Sequence, residues 1–281
     1  MAAVAAFLIL KAVPALSANK GNFFTAFGWD PEGTGIFGVA ALAFGTLVSS
    51  LLALIIGVPV AVGVALFISQ YAPRAIARPL AYVVDLLAAV PSVVFGLWGA
   101  IYLSPNLIPL SKFLNRYFGW IPIFGSTNQT YGKSILVAAV VLAVMVLPIV
   151  AAISREVFVQ TPKEHMEGAL ALGATKWEMI RTAVLPYGRS GVVSAIVLGF
   201  GRAVGETIAV AMVLSSTYTI NWHFLDPGGN TIAANIANRW GDATGAVSQG
   251  ALIASGLVLF AITLVVNFGA RVIIRRGKAK A

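Results

Sequence analysis

The sequence predicts an all-α polytopic membrane protein, and three observations carry that reading. Hydrophobic residues make up 59% of the chain and charged residues 10%, with a mean hydropathy of +0.89, so the apolar surface exceeds what one water-soluble core of this length can bury. Uncharged runs separate Glu32 from Arg74, Asp85 from Lys112, Lys133 from Arg155 and Asp242 from Arg271, each at least as long as the roughly 20 residues a spanning helix needs. Lysine and arginine gather in alternate connecting segments.

The first sixteen residues are apolar except for Lys11, and at about 1.5 Å per residue they reach some 24 Å of a roughly 30 Å hydrocarbon core. They are expected to form a first transmembrane helix; the alternative, a signal peptide, lacks a positive n-region. Residues 17–42 then form an outer loop, and residues 43–273 the transmembrane domain. Its helices are expected at about 43–70, 80–103, 134–155, 190–215 and 249–272, the fourth interrupted only by Arg202 and Glu206, giving six spans with the first. A loop over 156–189 joins spans 4 and 5, and residues 274–281 form a basic tail. Pro59, Pro91 and Pro148 fall inside spans, where each frees a backbone carbonyl and bends its helix. Trp29, Trp120, Trp222 and Trp240 fall in outer segments, as an interfacial belt would.

Residues 71–79 carry Arg74 and Arg78, residues 155–189 carry Arg155, Lys163, Lys176, Arg181 and Arg189, and the tail carries Arg271, Arg275, Arg276, Lys278 and Lys280. These three segments hold twelve of the nineteen basic residues and are separated by two spans each, so they share one side, which the positive-inside rule makes cytoplasmic. The opposite segments hold Lys20, Lys112, Arg116, Lys133 and Arg239. The net charge of +9 is thus mostly orientation information, and no basic surface interleaved with aromatics supports nucleic-acid binding.

With no cysteine the chain has neither disulfides nor thiolate metal sites, and His165 and His223 fall on opposite sides of the membrane, so no metal or other cofactor is expected. Gly125 to Ser134 ends like a phosphate-cradling loop, but Thr127 stands where the first glycine belongs and no strand precedes it. The chain is therefore expected not to bind ATP and not to be an enzyme, so any energy from ATP hydrolysis would have to arrive through a partner. Asn128-Gln129-Thr130 is a formal glycosylation sequon without a compartment to support it.

The loop over 156–189 holds two helix-start signals. Thr161-Pro162-Lys163-Glu164 offers a cap, a proline at the first helical position and a glutamate three residues after the cap; Thr175-Lys176-Trp177-Glu178 repeats the spacing. Gly173 between them can take the positive φ that ends a helix, so the spacing predicts helix, glycine turn, helix. The order Glu167-Gly168-Ala169-Leu170-Ala171-Leu172-Gly173-Ala174, with Leu185-Pro186 twelve and thirteen residues after Gly173, resembles the EAA loop of ABC-importer permeases. It departs where Gly168 replaces an alanine and Ala183 an isoleucine. The resemblance implies the ABC importer permease fold, with coupling helices that seat Glu167, Ala169, Leu172, Gly173, Ala174 and Pro186 against a cytoplasmic ATPase.

Charge at membrane depth costs at least about 2.5 kcal/mol per residue, which makes Asp85, Arg202 and Glu206 functional candidates. Arg202 and Glu206 are four residues apart, so a neutralising structural pair is one reading. The other is a substrate pathway: Arg202 lies twelve residues past Ser190, about 18 Å along a helix and near the midplane, with Gly201 and Gly205 removing bulk beside it. The run Gly201 to Val210, with Ala89-Val90-Pro91-Ser92-Val93-Val94-Phe95-Gly96-Leu97 and Trp29-Asp30-Pro31, is similar to phosphate importer permeases of the Pst system, of the C type rather than the A type. That resemblance implies phosphate import across the bacterial plasma membrane, with Arg202, Glu206, Thr207, Asp85 and Ser92 along the pathway. It also implies a homologous A-type permease, a dimer of B-type cytoplasmic ATP-binding subunits and an S-type extracytoplasmic phosphate-binding protein as partners, and this chain, as a membrane protein, meets lipid as well. A guanidinium fork suits a tetrahedral oxyanion. A same-fold permease for sulfate or molybdate is the nearer rival; a secondary transporter or channel would not need the folded loop, and the hydropathy holds no inverted repeat.

Overall fold

The computed structural model describes residues 2–127 and 129–278; the sequon residue Asn128 and the tail residue Lys280 lie outside them. The chain is mostly helical: α1 (Ala2–Ala18), a hairpin of β1 (Trp29–Asp30) and β2 (Ile36–Phe37), α2 (Ala40–Leu66), α3 (Arg74–Ala88), α4 (Ser92–Trp98), α5 (Ser104–Asn106) and α6 (Ile108–Phe118). Then come α7 (Ile135–Val159), α8 (Lys163–Ala171), α9 (Lys176–Met179), α10 (Leu185–Gly205), α11 (Ile208–Val213), α12 (Ile232–Arg239) and α13 (Ala246–Lys278). Among the described residues four stretches are long and apolar enough to cross a membrane, Ala40–Tyr71, Ile135–Val159, Lys176–Gly205 and Ala246–Gly269, or five if the bent pair Arg74–Ala88 and Ser92–Asn106 is one span.

Two of the expected spans are not continuous helices. The span over 80–103 is broken after Ala88: Pro91 sits in extended conformation with ψ 139° at the N-cap of α4, since it lacks an N–H and disfavours a helical residue before it. The span over 190–215 ends at Gly205, and α11 starts anew at Ile208. Pro59 and Pro148, by contrast, stay inside α2 and α7.

The chain divides into two compact units. The first contains α1, the hairpin, the start of α2, α4–α6, the start of α7, α11, α12 and most of α13. Its core gathers Ala12, Ala15, Phe23, Trp29, Phe37, Leu42, Ile232 and Leu252. Trp29 is 9% exposed and its ring stacks on Tyr218 with centroids 6.4 Å apart, so it is a core anchor and not part of an interfacial belt; Trp120, Trp222 and Trp240 are exposed. Asp30 closes the hairpin by accepting from Gly33 N at 3.0 Å and Thr34 N at 2.8 Å. Those bonds, led by that from Thr34, hold its carboxyl below the ordinary carboxylate value. Replacing Trp29 with alanine is expected to cost about 3–5 kcal/mol. A lowered melting temperature of the purified subunit in detergent would register this; an unchanged one would refute the anchor role.

Small residues set helix contacts here. A Cβ on Gly250 of α13 would come within 2.7 Å of Ala15 Cβ, so α1 packs closely on α13. A Cβ on Gly45 would meet Asn230 O at 2.0 Å, and Thr46 Oγ1 accepts from Ile232 N at 3.0 Å, which pins α2 to the start of α12. The loops before α7 and before α12 are joined by Asp226, whose carboxylate accepts from Ser126 Oγ at 2.6 Å and Thr127 N at 3.1 Å. Burial pushes the Asp226 pKa up, and the hydrogen bonds from Ser126 and Thr127 with the nearby His223 outweigh it, leaving a net lowering.

The second unit contains the rest of α2, α3, the rest of α7, α8–α9, α10 to Arg202 and the end of α13. Its core is Ala65, Phe158, Met179, Ile180 and Val184. A Cβ on Gly188, Gly191 or Gly199 would strike Phe158, Val157 or Val146 at 2.7 Å or less, so α10 lies against α7 along a glycine seam.

Candidate functional site

The loop over 156–189 folds into two helices around a turn. α8 ends in a Schellman arrangement: Gly173 N donates to Leu170 O at 3.0 Å and Ala174 N to Ala169 O at 3.2 Å, with Gly173 at φ +87°. A Cβ on Gly173 would touch nothing within 4 Å, so backbone conformation alone demands the glycine. The second start signal is a full capping box, in which Glu178 N donates to Thr175 Oγ1 at 3.3 Å and Thr175 N to Glu178 Oε2 at 2.7 Å.

The first start signal fails as a cap. Pro162 occupies the N-cap of α8, and Thr161 Oγ1 is buried without a hydrogen-bond partner. Thr161 N still donates to Phe158 O at 3.3 Å, so this residue is held to the end of α7 and cannot turn toward α8.

α9 runs through a π-turn (Ile180–Val184) into α10, making one helix from Lys176 to Gly205. The wider turn, closed by Leu185 N donating to Ile180 O, accommodates Pro186, which has no N–H to give. Glu167, Leu172, Gly173 and Pro186 are exposed, while Ala169 packs on the core beneath. Leu172 is 91% exposed, and Trp177, five residues further on and given no role by the motif, is exposed as well. A tryptophan in a charged loop was the available signal. Lys176 Nζ sits 4.8 Å from the Tyr71 ring centroid, tying α9 to the π-turn that ends α2.

The intramembrane candidates separate into two groups. Asp85 meets Arg155, with Oδ2 3.5 Å from the guanidinium. Arg202 lies in the last turn of α10, half-buried, and its Nε is buried with no hydrogen-bond partner. A Cβ on Gly201 or on Gly205 would meet nothing within 4 Å among the described residues. Glu206 is 9% exposed and its Oε1 accepts from Ala209 N at 3.3 Å, which caps the first turn of α11. The helix breaks here because Gly205 is a poor helix former and the Glu206 carboxylate competes for a backbone donor.

Within the first unit α4 and α11 run side by side. A Cβ on Gly96 would come within 2.8 Å of Ala209 Cα, and one on Gly99 within 2.9 Å of Val213, so contacts advance along both helices in the same direction. Ser92, Glu206 and Thr207 therefore collect at the same end of this pair. No group of three or more potential metal ligands occurs among the described residues.

The model of the family described as binding-protein-dependent transport system inner membrane component matches residues 55–278. "Phosphate transport system permease protein PstC 2" of Mycobacterium tuberculosis is 50% identical over 274 residues, covering 96% of this chain and 85% of that protein. PstC of Xylella fastidiosa strain 9a5c is 41% identical, with 93% and 81% covered; a probable PstC of Methanocaldococcus jannaschii is 35% identical, with 93% and 84% covered. A chain of the inward-facing MetNI methionine ABC transporter superposes with TM-score 0.55 at 19% identity, covering 83% of this chain and 91% of that one. A chain of a bacterial alginate ABC transporter does so with TM-score 0.58 at 19% identity, covering 83% and 79%. The fold is shared with both, and the chain belongs to the binding-protein-dependent transport system inner membrane component family.

Proposed function

We propose that this chain is the C-type permease subunit of an ATP-driven phosphate importer in the bacterial plasma membrane. What supports the substrate is relatives named for phosphate transport, 35–50% identical over most of the chain, together with a guanidinium whose Nε has no hydrogen-bond partner among the described residues. A buried unpaired donor is costly, and an oxyanion offers it a bidentate acceptor. Arg202, with Glu206, Thr207, Ser92 and Asp85, contributes to the pathway, Asp85 being paired with Arg155. The coupling loop turns Glu167, Leu172, Gly173 and Pro186 toward an ATPase dimer that supplies hydrolysis, with the half-buried Ala174 at the turn and Ala169 supporting them from beneath through the core. A homologous A-type permease completes the pathway, and an extracytoplasmic binding protein delivers the anion. The decisive experiment reconstitutes the chain with these partners and asks which loaded binding protein stimulates ATP hydrolysis. Stimulation by a sulfate- or molybdate-loaded protein in place of the phosphate-loaded one would replace the substrate and leave the fold in place.

We place the basic loops and the C-terminus in the cytoplasm, and α1 as a sixth span packed on α13. Because the chain has no native cysteine, single cysteines at the exposed positions Ala75 and Lys163 are expected to resist an impermeant thiol reagent added outside intact cells, while one at Asp242 reacts. Labelling at Lys163 from outside would reverse the orientation.

A further inference from the structure

α6 is built the wrong way round for a helix on the surface of a soluble domain. Its sequence Ile-Pro-Leu-Ser-Lys-Phe-Leu-Asn-Arg-Tyr-Phe places Leu110, Phe113 and Tyr117 on one face, at the i, i+3, i+4 spacing. That apolar face is the exposed one: Leu110, Phe113 and Tyr117 are 45%, 51% and 58% exposed. The polar side turns inward, with Ser111 buried and Asn115 Nδ2 donating to Phe124 O at 3.1 Å. Lys112 and Arg116, four residues apart, line one edge of the aromatic face and are exposed. No carboxylate occurs between Asp85 and Glu156, and among the described residues neither cation forms an ion pair, the salt bridge present being Arg155–Asp85. Arg116 lies instead 5.8 Å from the Tyr117 ring centroid.

An outward aromatic stripe with unpaired cations along its edge matches a helix lying in the membrane–water interface, rings among the acyl chains and basic heads among the phosphates. We propose that α6 lies flat in this layer and that Lys112 and Arg116 together hold an anionic phospholipid headgroup. The charge decides the occupant: a zwitterionic lipid would leave two cations uncompensated, and each basic residue near an anionic surface favours it about fivefold.

The test uses the assembled transporter in nanodiscs, with a single cysteine at Phe113 carrying an environment-sensitive fluorophore. Brominated phosphatidylglycerol or brominated phosphatidylcholine is mixed in at equal fraction as quencher. Both should quench, phosphatidylglycerol at least about fivefold more effectively per molecule, and Lys112→Gln/Arg116→Gln should remove that preference while quenching by phosphatidylcholine persists. Absence of quenching by either lipid would mean that protein, such as the second permease or the binding protein, covers α6, and would overturn the proposal. Equal quenching by both lipids in the unaltered chain, or a preference that survives loss of both cations, would overturn it as well.

Discussion

Replacing Arg202 with glutamine is expected to abolish phosphate uptake while the subunit still inserts and assembles. The side chain lies in the last turn of α10 with a buried Nε that has no acceptor among the described residues, so removing the charge breaks no pair seen there. Arg202→Lys keeps the charge but loses the planar fork, and uptake should fall severely. Glu206→Gln separates two roles. Its carboxylate caps α11 through Ala209 N, and an amide oxygen can accept the same bond, so the helix break should survive. Altered transport or uncoupled ATP hydrolysis in an assembled complex is then the expected outcome, whereas Glu206→Leu should also lower stability by about 1 kcal/mol through the lost cap. An Arg202→Gln complex that accumulates phosphate at the normal rate would remove Arg202 from the pathway.

The second large effect is expected at Gly173. A valine there must adopt φ near +87°, which costs a β-branched residue about 1–3 kcal/mol and favours a rearranged turn. Transport should collapse although membrane insertion is unaffected. Because an added Cβ meets no atom, the penalty is conformational, and Gly173→Asn, which tolerates this region, should retain much of the activity. Equal loss with asparagine and valine would show that something other than φ requires glycine.

Much of this architecture is legible in the residues. Long uncharged runs locate α2, α7 and α13, and the Thr175 and Gly173 signals place a real cap and a real turn because both act through local backbone bonds. Thr161 reads the same way and fails, since the end of α7 holds it before α8 can use it. The break at Glu206 was hidden for a related reason: hydropathy sees an apolar run through Val213, whereas a single side-chain bond to Ala209 N ends one helix and begins another. Trp29 reads as interfacial because composition cannot tell a tryptophan in a belt from one stacked on Tyr218, 189 residues further along the chain. Arg202 is legible as an expensive charge, but that its Nε finds no partner among the described residues follows from packing, which no sequence pattern encodes.

The uninterrupted helix from Lys176 to Gly205 has a mechanical consequence. From Lys176 to Arg202 it is about 40 Å of rigid rod at 1.5 Å per residue, with its foot beside the exposed Leu172 and Trp177 and its tip at the unpaired guanidinium. A tilt of about five degrees at the foot would carry the tip some 3.5 Å sideways, comparable to the reach of a hydrogen bond. On the orientation and pathway proposed above, a small rocking motion imposed at the foot would make or break an anion contact at the tip, with any bending concentrated at the π-turn over Ile180–Val184.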